Sequence, residues 1–385
     1  MDPWSWRKAK LRDRIQGVIL GAAIGDAVGL ATEFMNKDKA QRLYGDGPIK
    51  FGNANGHDFW RDGHRSRWHE NDFTDDTDLA KRKVARYSTV HTHLNMSAFN
   101  LHHVLNPVVL QECARNWLKE DSPNFDLQAI VAGDQNILAK IFCKSAGVLA
   151  GVPFVNAIVK ELECSVNWLF KEGEYVDASE CSIEVAHVTG KGHCVLLAER
   201  LILNVLSRCS GVATRARRIR DKLTQFGWTG SLAGSRKTTP GFRLVEKYGL
   251  MVANVDPHRY DLGSMVMLKD NHITVSGSIK IAVDKVKTIA GFSTKIEVEC
   301  RNIEEALEAA SLSVDIIMLD NFTPDDLENT SKHIKRDFPH ILTEASGGIT
   351  EENVHRYAIT TVDIISTSSL VQGYEAIDFS MKVSK

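Results

Sequence analysis

Residues 294–320 read TKIEVECRNIEEALEAASLSVDIIMLD, and this stretch decides the fold class. Two short runs rich in β-branched residues, 294–299 and 315–320, enclose a segment whose apolar residues recur at helical spacing. Asn302 followed by Glu305 is a capping box, which predicts where the helix begins. The order strand, helix, strand predicts two parallel strands with the helix packed on the face of their sheet.

The same unit recurs along residues 228–370. Further strand-like runs occupy residues 229–234, 264–268, 340–346 and 362–369. Thr323 followed by Pro324 predicts another helix start. Six such units without a dinucleotide-binding glycine fingerprint favour a closed (β/α) barrel over an open doubly wound sheet.

Residues 96–227 have a different pattern, which predicts a smaller α+β domain beside the barrel. We expect helices near Leu127–Ala139 and Leu196–Cys209, and short strands near Ser165–Phe170 and Ile183–Val188.

Composition excludes several classes of protein. The chain has 385 residues, enough for two or three domains, and a formal net charge of -2, which argues against a general nucleic-acid binder. Its seven cysteines include no Cys-x-x-Cys pair, so we expect neither a disulfide framework nor a zinc site. The apolar run at 17–25 is too short to span a membrane. We expect a cytoplasmic protein, with the nucleus as a second compartment.

Each predicted barrel strand ends in polar residues, which would converge at the carboxyl-end face of the barrel. These ends are Ser235-Arg236-Lys237, Lys269-Asp270-Asn271-His272, Glu299, Asp320-Asn321, Glu344 to Gly348 and Ser366 to Ser369, with His258-Arg259 between the first two strands. Arg and Lys bind carboxylates and phosphates, and carboxylates bind ribose hydroxyls or a hard cation. Ser346-Gly347-Gly348 is expected to open a helix whose amides hold a phosphate. One such feature is usually a surface pair, a cap or a turn, but six consecutive strand ends favour an active site.

The same residues carry a family resemblance. AGSRKTTPGFRLVEKYGLMVANVDPHRYDLGSMVMLKDNHI (233–273), IIMLDNF (316–322) and EASGGIT (344–350) resemble quinolinate phosphoribosyltransferase, in wording similar to fungal members, and the likeness covers about residues 96–385. The resemblance implies an α+β open-sandwich domain at 96–227 and an incomplete (β/α) barrel at 228–385 whose C-terminus returns to the sandwich domain. It implies a pentosyltransferase that converts quinolinate and phosphoribosyl pyrophosphate to nicotinate mononucleotide, pyrophosphate and carbon dioxide in NAD biosynthesis.

The resemblance also implies roles for particular residues. Quinolinate would be bound by Arg236, Lys237, His258, Arg259 and Lys269, the ribose and a magnesium-bound pyrophosphate by Glu299 and Asp320, and the 5′-phosphate by Ser346, Gly347, Gly348 and Ser368. Lys237, Lys269, Glu299 and Asp320 would be the catalytic residues. Arg200 would reach into the site of a neighbouring subunit in a dimer or hexamer. Two departures from the family, Ser235 for Thr and the serine-rich loop 366–369 for one with Gly, are expected to have little effect.

Residues 1–79 resemble a different family. DRIQGVILGAAIGDAVGLATEF (13–34) and FTDDTD (73–78) look like the start of an ADP-ribosylglycohydrolase, a dimagnesium enzyme. Thr74, Asp75 and Asp76 match its first metal motif, and residues 80–95 look like a connector. No second Asp/Thr cluster follows, so we expect a vestigial motif and a silent segment, produced by a gene fusion, a rearrangement or a mispredicted gene boundary. Two other functions stay open: an ADP-ribose hydrolase with a passive barrel, and a transferase that uses nicotinate without decarboxylation.

Overall fold

The computed structural model describes residues 100–384. These residues all belong to one compact unit of the chain, residues 93–385. The segment 1–79, the connector 80–95 and the motif of Thr74, Asp75 and Asp76 lie outside the described residues. None of the described helices has the length and apolarity needed to cross a membrane.

The described residues form two sheets and a small two-stranded pair. The strands are β1 Asn136–Cys143, β2 Gly147–Val148, β3 Ser165–Trp168, β4 Tyr175–Val176, β5 Ile183–Lys191, β6 Ser231–Ala233, β7 Val266–Leu268, β8 Ile296–Cys300, β9 Ile316–Asp320, β10 Leu342–Ser346, β11 Ile364–Ser366 and β12 Phe379–Val383. The helices are α1 Pro107–Asp121, α2 Ala129–Ala132, α3 Val152–Glu161, α4 Gly192–Gln225, α5 Arg243–Val252, α6 Asp270–Ser276, α7 Ile279–Lys287, α8 Ile303–Ser311 and α9 Pro324–Asp337. Short 3-10 turns occupy Leu101–Val104, Val354–Tyr357 and Ser368–Leu370.

The first sheet is antiparallel, in the order β12-β1-β5-β3. Its last member is the C-terminal strand β12, which pairs with β1 from Ala139↔Val383 to Cys143↔Phe379. The 34-residue helix α4 packs against β1, β5 and β12. Buried side chains of this sheet and of helices α3 and α4 share one apolar core, which includes Ile141, Phe154 and Ile202.

The prediction of a helix over Leu127–Ala139 was wrong for most of its length. Helix α2 ends at Ala132, Gly133 adopts a positive φ of 64°, and strand β1 begins at Asn136. Alternate residues of β1 are buried in the core, and its backbone pairs with both β12 and β5, so tertiary contacts override the local helical tendency. The predicted helix near Leu196–Cys209 lies inside α4, and the two predicted short strands coincide with β3 and β5.

The second sheet has six parallel strands in the order β6-β11-β10-β9-β8-β7. Each of the six predicted runs overlaps one of these strands. Asn302 caps α8 by accepting from Glu305 N at 2.9 Å, and Thr323 caps α9 with Pro324 in its first turn, so both predicted helix starts are confirmed.

The ladder curls into a barrel that remains open. β6 and β7 are the two ends of the ladder, and within residues 100–384 a single isolated bridge, Ala233↔Asp256, extends it beyond β6. The closed barrel expected from strand periodicity is therefore corrected to an incomplete one, as the resemblance implied. Alternation along β8 places Val298 and Cys300 in the apolar core under the helices, and Glu297 and Glu299 on the opposite, interior face.

Candidate active site

A cavity of about 710 Å³ opens at the carboxyl ends of the six parallel strands. It is lined by all but one of the residues predicted to form the site: Arg236, Lys237, His258, Arg259, Lys269, Glu299, Asp320, Ser346, Gly347, Gly348 and Ser368. They come together because parallel strands bring their carboxyl ends to the same edge of the sheet.

Four cationic side chains line this cavity, three of them just after a strand and one in a loop. Arg236 and Lys237 follow β6, Lys269 follows β7, and Arg259 lies in the loop between α5 and β7. The Arg259 guanidinium donates to Met265 O and contacts Met267 Sδ, both at 3.3 Å. Burial, and then the nearby charge of Arg236, lower the pKa of Arg259. Positive charges held this close together repel one another, and a bound polyanion relieves this repulsion.

Two carboxylates stand among these cations. Glu299 forms an ion pair with Lys269, and its side chain is 10% exposed. Asp320, at the end of β9, is half-buried, and burial followed by the charge of Glu299 raises its pKa, whereas Lys269 and Lys237 lower it. Hard divalent cations and sugar hydroxyls both bind such carboxylate oxygens, so the pair is chemically suited to a magnesium ion that arrives on a substrate.

Glycine is required in the loop that follows β10. Gly347 and Gly348 have φ values of 91° and 62°. A Cβ on Gly347 would lie 2.7 Å from Asn321 N, which itself donates to Ser346 O at 2.9 Å. The predicted α-helix directly after this loop was wrong, because residues 351–353 form turns that lead into the 3-10 turn Val354–Tyr357. The loop can still offer backbone N–H groups to a phosphate, but without an α-helix behind it.

The loop after β11 is tied to the glycine loop. Thr367 Oγ1 donates to Ile349 O at 2.5 Å and accepts from Ser369 N at 3.1 Å. Ser368 begins the 3-10 turn that lines the same part of the cavity. The serine-rich departure from the family pattern therefore forms an ordered, hydrogen-bonded loop.

Arg200 is the one predicted site residue that does not line the cavity of its own chain. It lies on α4 with its side chain exposed to solvent. Its predicted role at a neighbouring subunit's site stays a prediction.

Sequence reasoning missed several residues that line or underlie the cavity. Met267 and Met318 form apolar parts of its wall, and Glu297 lies buried beneath it. Glu344, a strand end already identified from the sequence, is buried as well. Burial, and then the charge of Glu344, raise the pKa of Glu297 to about 9. Strand alternation was a usable signal, since Met267, Glu297 and Met318 each lie two residues before a predicted site residue and face the same side.

The fold and site together define a barrel enzyme that binds polyanionic substrates at the carboxyl ends of its strands. Residues 126–210 and 212–382 match the N-terminal and C-terminal domains, respectively, of quinolinate phosphoribosyl transferase. Nicotinate-nucleotide pyrophosphorylase [carboxylating] of Rattus norvegicus is 46% identical over 288 residues, which cover 75% of this chain and 95% of that protein. Its Homo sapiens counterpart is 45% identical over 75% of this chain and 96% of that protein.

Solved structures agree with the sequence matches. The nicotinate-nucleotide pyrophosphorylase from Francisella tularensis superposes with a TM-score of 0.66 at 29% identity, over 73% of this chain and 98% of that one. The chain belongs to the quinolinate phosphoribosyltransferase family, which confirms the predicted family and enzyme class. Residues 7–147 also match ADP-ribosylglycohydrolase, as predicted for the N-terminal region, and this match extends past residue 79 into the first domain of the transferase.

Proposed function

We propose that this chain transfers the phosphoribosyl group of phosphoribosyl pyrophosphate to quinolinate and releases pyrophosphate and carbon dioxide, forming nicotinate mononucleotide for NAD biosynthesis. The observation that carries the proposal is the convergence of Arg236, Arg259 and Lys269 on one cavity with Glu299 and Asp320. A pyridine diacid and a phosphorylated sugar need this combination of cations and carboxylates.

The cations bind and orient the diacid. Arg236 and Arg259 can each take a carboxylate through two parallel N–H donors, and Lys269 and Lys237 add point charges. Fixing both carboxylates aims the ring nitrogen at the anomeric carbon of the sugar, so that orientation supplies much of the catalysis.

The glycine loop and the loop at Ser368 bind the 5′-phosphate, and Glu299 and Asp320 face the ribose and the pyrophosphate. Magnesium enters on phosphoribosyl pyrophosphate, where it neutralises charge on the leaving pyrophosphate. Glu299 and Asp320 would face this ion indirectly, through the pyrophosphate that carries it, where nearby carboxylate oxygens suit a hard cation.

The reaction needs no protein nucleophile. The pyridine nitrogen forms a bond to the anomeric carbon as the bond to pyrophosphate breaks. The ring, now positively charged, accepts the electron pair left behind when the adjacent carboxylate leaves as carbon dioxide, and the ring carbon then takes up a proton. The side chains of the cavity position the reactants and stabilise charge.

We also propose a homo-oligomer, dimer or hexamer, in which Arg200 completes the site of a neighbouring subunit. Supporting it, Phe125, Leu127, Ile130 and Val131 are between 80% and 93% exposed in the single chain. Neighbouring apolar residues at such exposure are typical of a protein interface. We place the enzyme in the cytoplasm, with the nucleus as a second compartment, which cell fractionation tests.

The test is to incubate the full-length chain with quinolinate, phosphoribosyl pyrophosphate and Mg²⁺ and to detect nicotinate mononucleotide and carbon dioxide. Product from nicotinate, without carbon dioxide release, would favour the non-decarboxylating alternative instead. Omission of Mg²⁺ should abolish turnover.

The N-terminal region suggests a second candidate activity because residues 7–147 match ADP-ribosylglycohydrolase. We propose that this segment is catalytically silent and that deletion of residues 1–95 leaves transferase turnover intact. Hydrolysis of ADP-ribosylated arginine by the full chain, abolished by Asp75→Ala, would contradict this.

A further inference from the structure

A buried polar cluster lies at the floor of the cavity and joins His258 to two strands of the barrel. His258 Nε2 lies 3.3 Å from Glu344 Oε1, and the two side chains are 10% and 1% exposed. Ser366 Oγ donates to the same carboxylate oxygen at 2.5 Å. Barrel interiors are normally filled by branched aliphatic side chains, so a buried carboxylate here calls for an explanation.

Hydrogen bonding fixes the tautomer of the His258 ring. Arg259 N donates to His258 Nδ1 at 2.8 Å, so Nδ1 carries a lone pair. The proton of the neutral imidazole is therefore on Nε2, where it is donated to Glu344. Both ring nitrogens are thus occupied by protein atoms.

The same tautomer argues against a metal site at this place. His258, Glu297 and Glu344 offer possible ligand atoms that all lie within 4.8 Å of one another. A metal on Nε2 would require the proton on Nδ1, which normally donates to a second partner. Nδ1 here accepts instead, so His258 and Glu344 form a hydrogen-bonded pair. Among the described residues, both Glu297 carboxylate oxygens and Glu344 Oε2 have no hydrogen-bond partner.

The segment Pro257 to Arg259, which the His258 side chain helps to hold, is also fixed by other residues. His258 adopts a positive φ of 58°, which a non-glycine residue keeps only where its surroundings enforce it. Asp256 Oδ1 accepts from His258 N at 2.6 Å, and buried Lys247 donates to Pro257 O and, at 2.9 Å, to Arg259 O.

We propose that Glu344 and His258 are positioning residues for Arg259: Glu344 holds the imidazole as its Nε2–H tautomer, and Nδ1 holds the Arg259 amide. This positioning role rests on the proposed function, in which Arg259 binds quinolinate. It gives His258 a role other than direct contact with a quinolinate carboxylate. The charge of the diacid is then met by Arg236, Arg259 and the two lysines.

Substitution at His258 separates positioning from direct binding. Asn tolerates positive φ, and its Oδ1 can accept from the next amide, as Asp270 Oδ1 accepts from Asn271 N at 2.6 Å. We expect His258→Ala to raise the KM for quinolinate about tenfold, the upper range for loss of one neutral hydrogen bond. His258→Asn loses the contact with Glu344 but keeps an acceptor for the Arg259 amide, so it should raise this KM less than Ala does. The KM for phosphoribosyl pyrophosphate should not change in either variant. Equal effects of Asn and Ala, whether large or absent, would overturn the proposal.

Glu344 has its own matched pair of variants. The amide oxygen of Glu344→Gln can still accept from His258 Nε2 and Ser366, whereas Glu344→Leu leaves both donors unsatisfied. We expect Gln to keep a near-normal KM for quinolinate and Leu to raise it. A Gln variant as impaired as Leu would show that hydrogen bonding is not what Glu344 contributes.

The tautomer can be read directly, without turnover, so its outcome is independent of whether quinolinate is the substrate. In protein labelled with ¹⁵N-histidine, the resonances lost in His258→Asn identify the ring. We expect the resonances of a ring that carries its proton on Nε2 and a lone pair on Nδ1. A ring that carries its proton on Nδ1 would overturn the assignment.

Discussion

Lys269 and Glu299 form an ion pair across the mouth of the barrel, from the residue after β7 to the end of the neighbouring strand β8. The Glu299 carboxylate is largely buried, whereas the Lys269 side chain is 43% exposed and faces the cavity. The pair therefore places a cation and a carboxylate side by side at the mouth of the cavity.

Removing this cation should weaken the reaction strongly. We expect Lys269→Ala to lower kcat/KM for quinolinate about 10- to 100-fold, since a hydrogen bond to a charged group is worth about 1.5–3 kcal/mol. Steady-state kinetics measure the change. Lys285→Ala, on the exposed side of α7, is the matched control and should behave as wild type. Similar kinetics for the two variants would remove Lys269 from the site.

Quinolinate binding should depend on the planar shape of the Arg259 guanidinium as well as on its charge. Arg259→Lys keeps the charge and loses the two parallel donors, so we expect the KM for quinolinate to rise about tenfold with Lys and further with Ala. Saturation curves for quinolinate at fixed phosphoribosyl pyrophosphate measure the effect. An unchanged curve for Arg259→Ala would contradict its assignment to a carboxylate.

Gly347→Ala should damage the phosphate loop. Its φ of 91° disfavours any side chain, and the new Cβ would press against Asn321. We expect a KM for phosphoribosyl pyrophosphate raised about tenfold and an unfolding free energy lowered by about 1–2 kcal/mol. The control is Gly263→Ala, where the nearest atom to a new Cβ is 3.5 Å away and φ is not positive. Normal kinetics for Gly347→Ala would argue against a phosphate in this loop.

Lys247 gives a pH-dependent test of the segment that holds Arg259. Burial, and then the charge of Arg243, lower the pKa of Lys247 from 10.5 to about 8 in the folded chain. Between about pH 8 and pH 10.5 the unfolded chain therefore binds more protons at this group, and this contribution to stability rises with pH. We expect the unfolding free energy of wild type, relative to Lys247→Met, to increase across that window in denaturant titrations. A constant difference would show that the folded-state pKa of Lys247 is not lowered.

Shared sites predict complementation between inactive variants. Arg200→Ala mixed with Lys269→Ala should regain part of the wild-type activity if Arg200 acts in a neighbouring subunit, because mixed oligomers contain some sites with both residues intact. Activity of the mixture against that of each variant alone measures this. Absence of recovery in mixed oligomers would count against the cross-subunit role.

Much of the fold could be predicted from the sequence because its signals are local. Strand runs, helical spacing and the caps at Asn302 and Thr323 each depend on residues a few positions apart. The polar strand ends followed from the same reasoning, since a parallel barrel brings all carboxyl ends to one face. Local signals failed at residues 136–139, where pairing with two distant strands decides the conformation, and after Gly348, where turns replace the expected helix.

The sequence by itself determined the six parallel strands of the barrel, the family and the charged residues at the strand ends, because these depend on patterns a few residues long. Only the tertiary structure decided where the barrel stays open, which carboxylates are buried beneath the cavity and which tautomer His258 adopts. Those features arise from contacts between residues far apart in the chain, such as His258 with Glu344, and no local spacing encodes them.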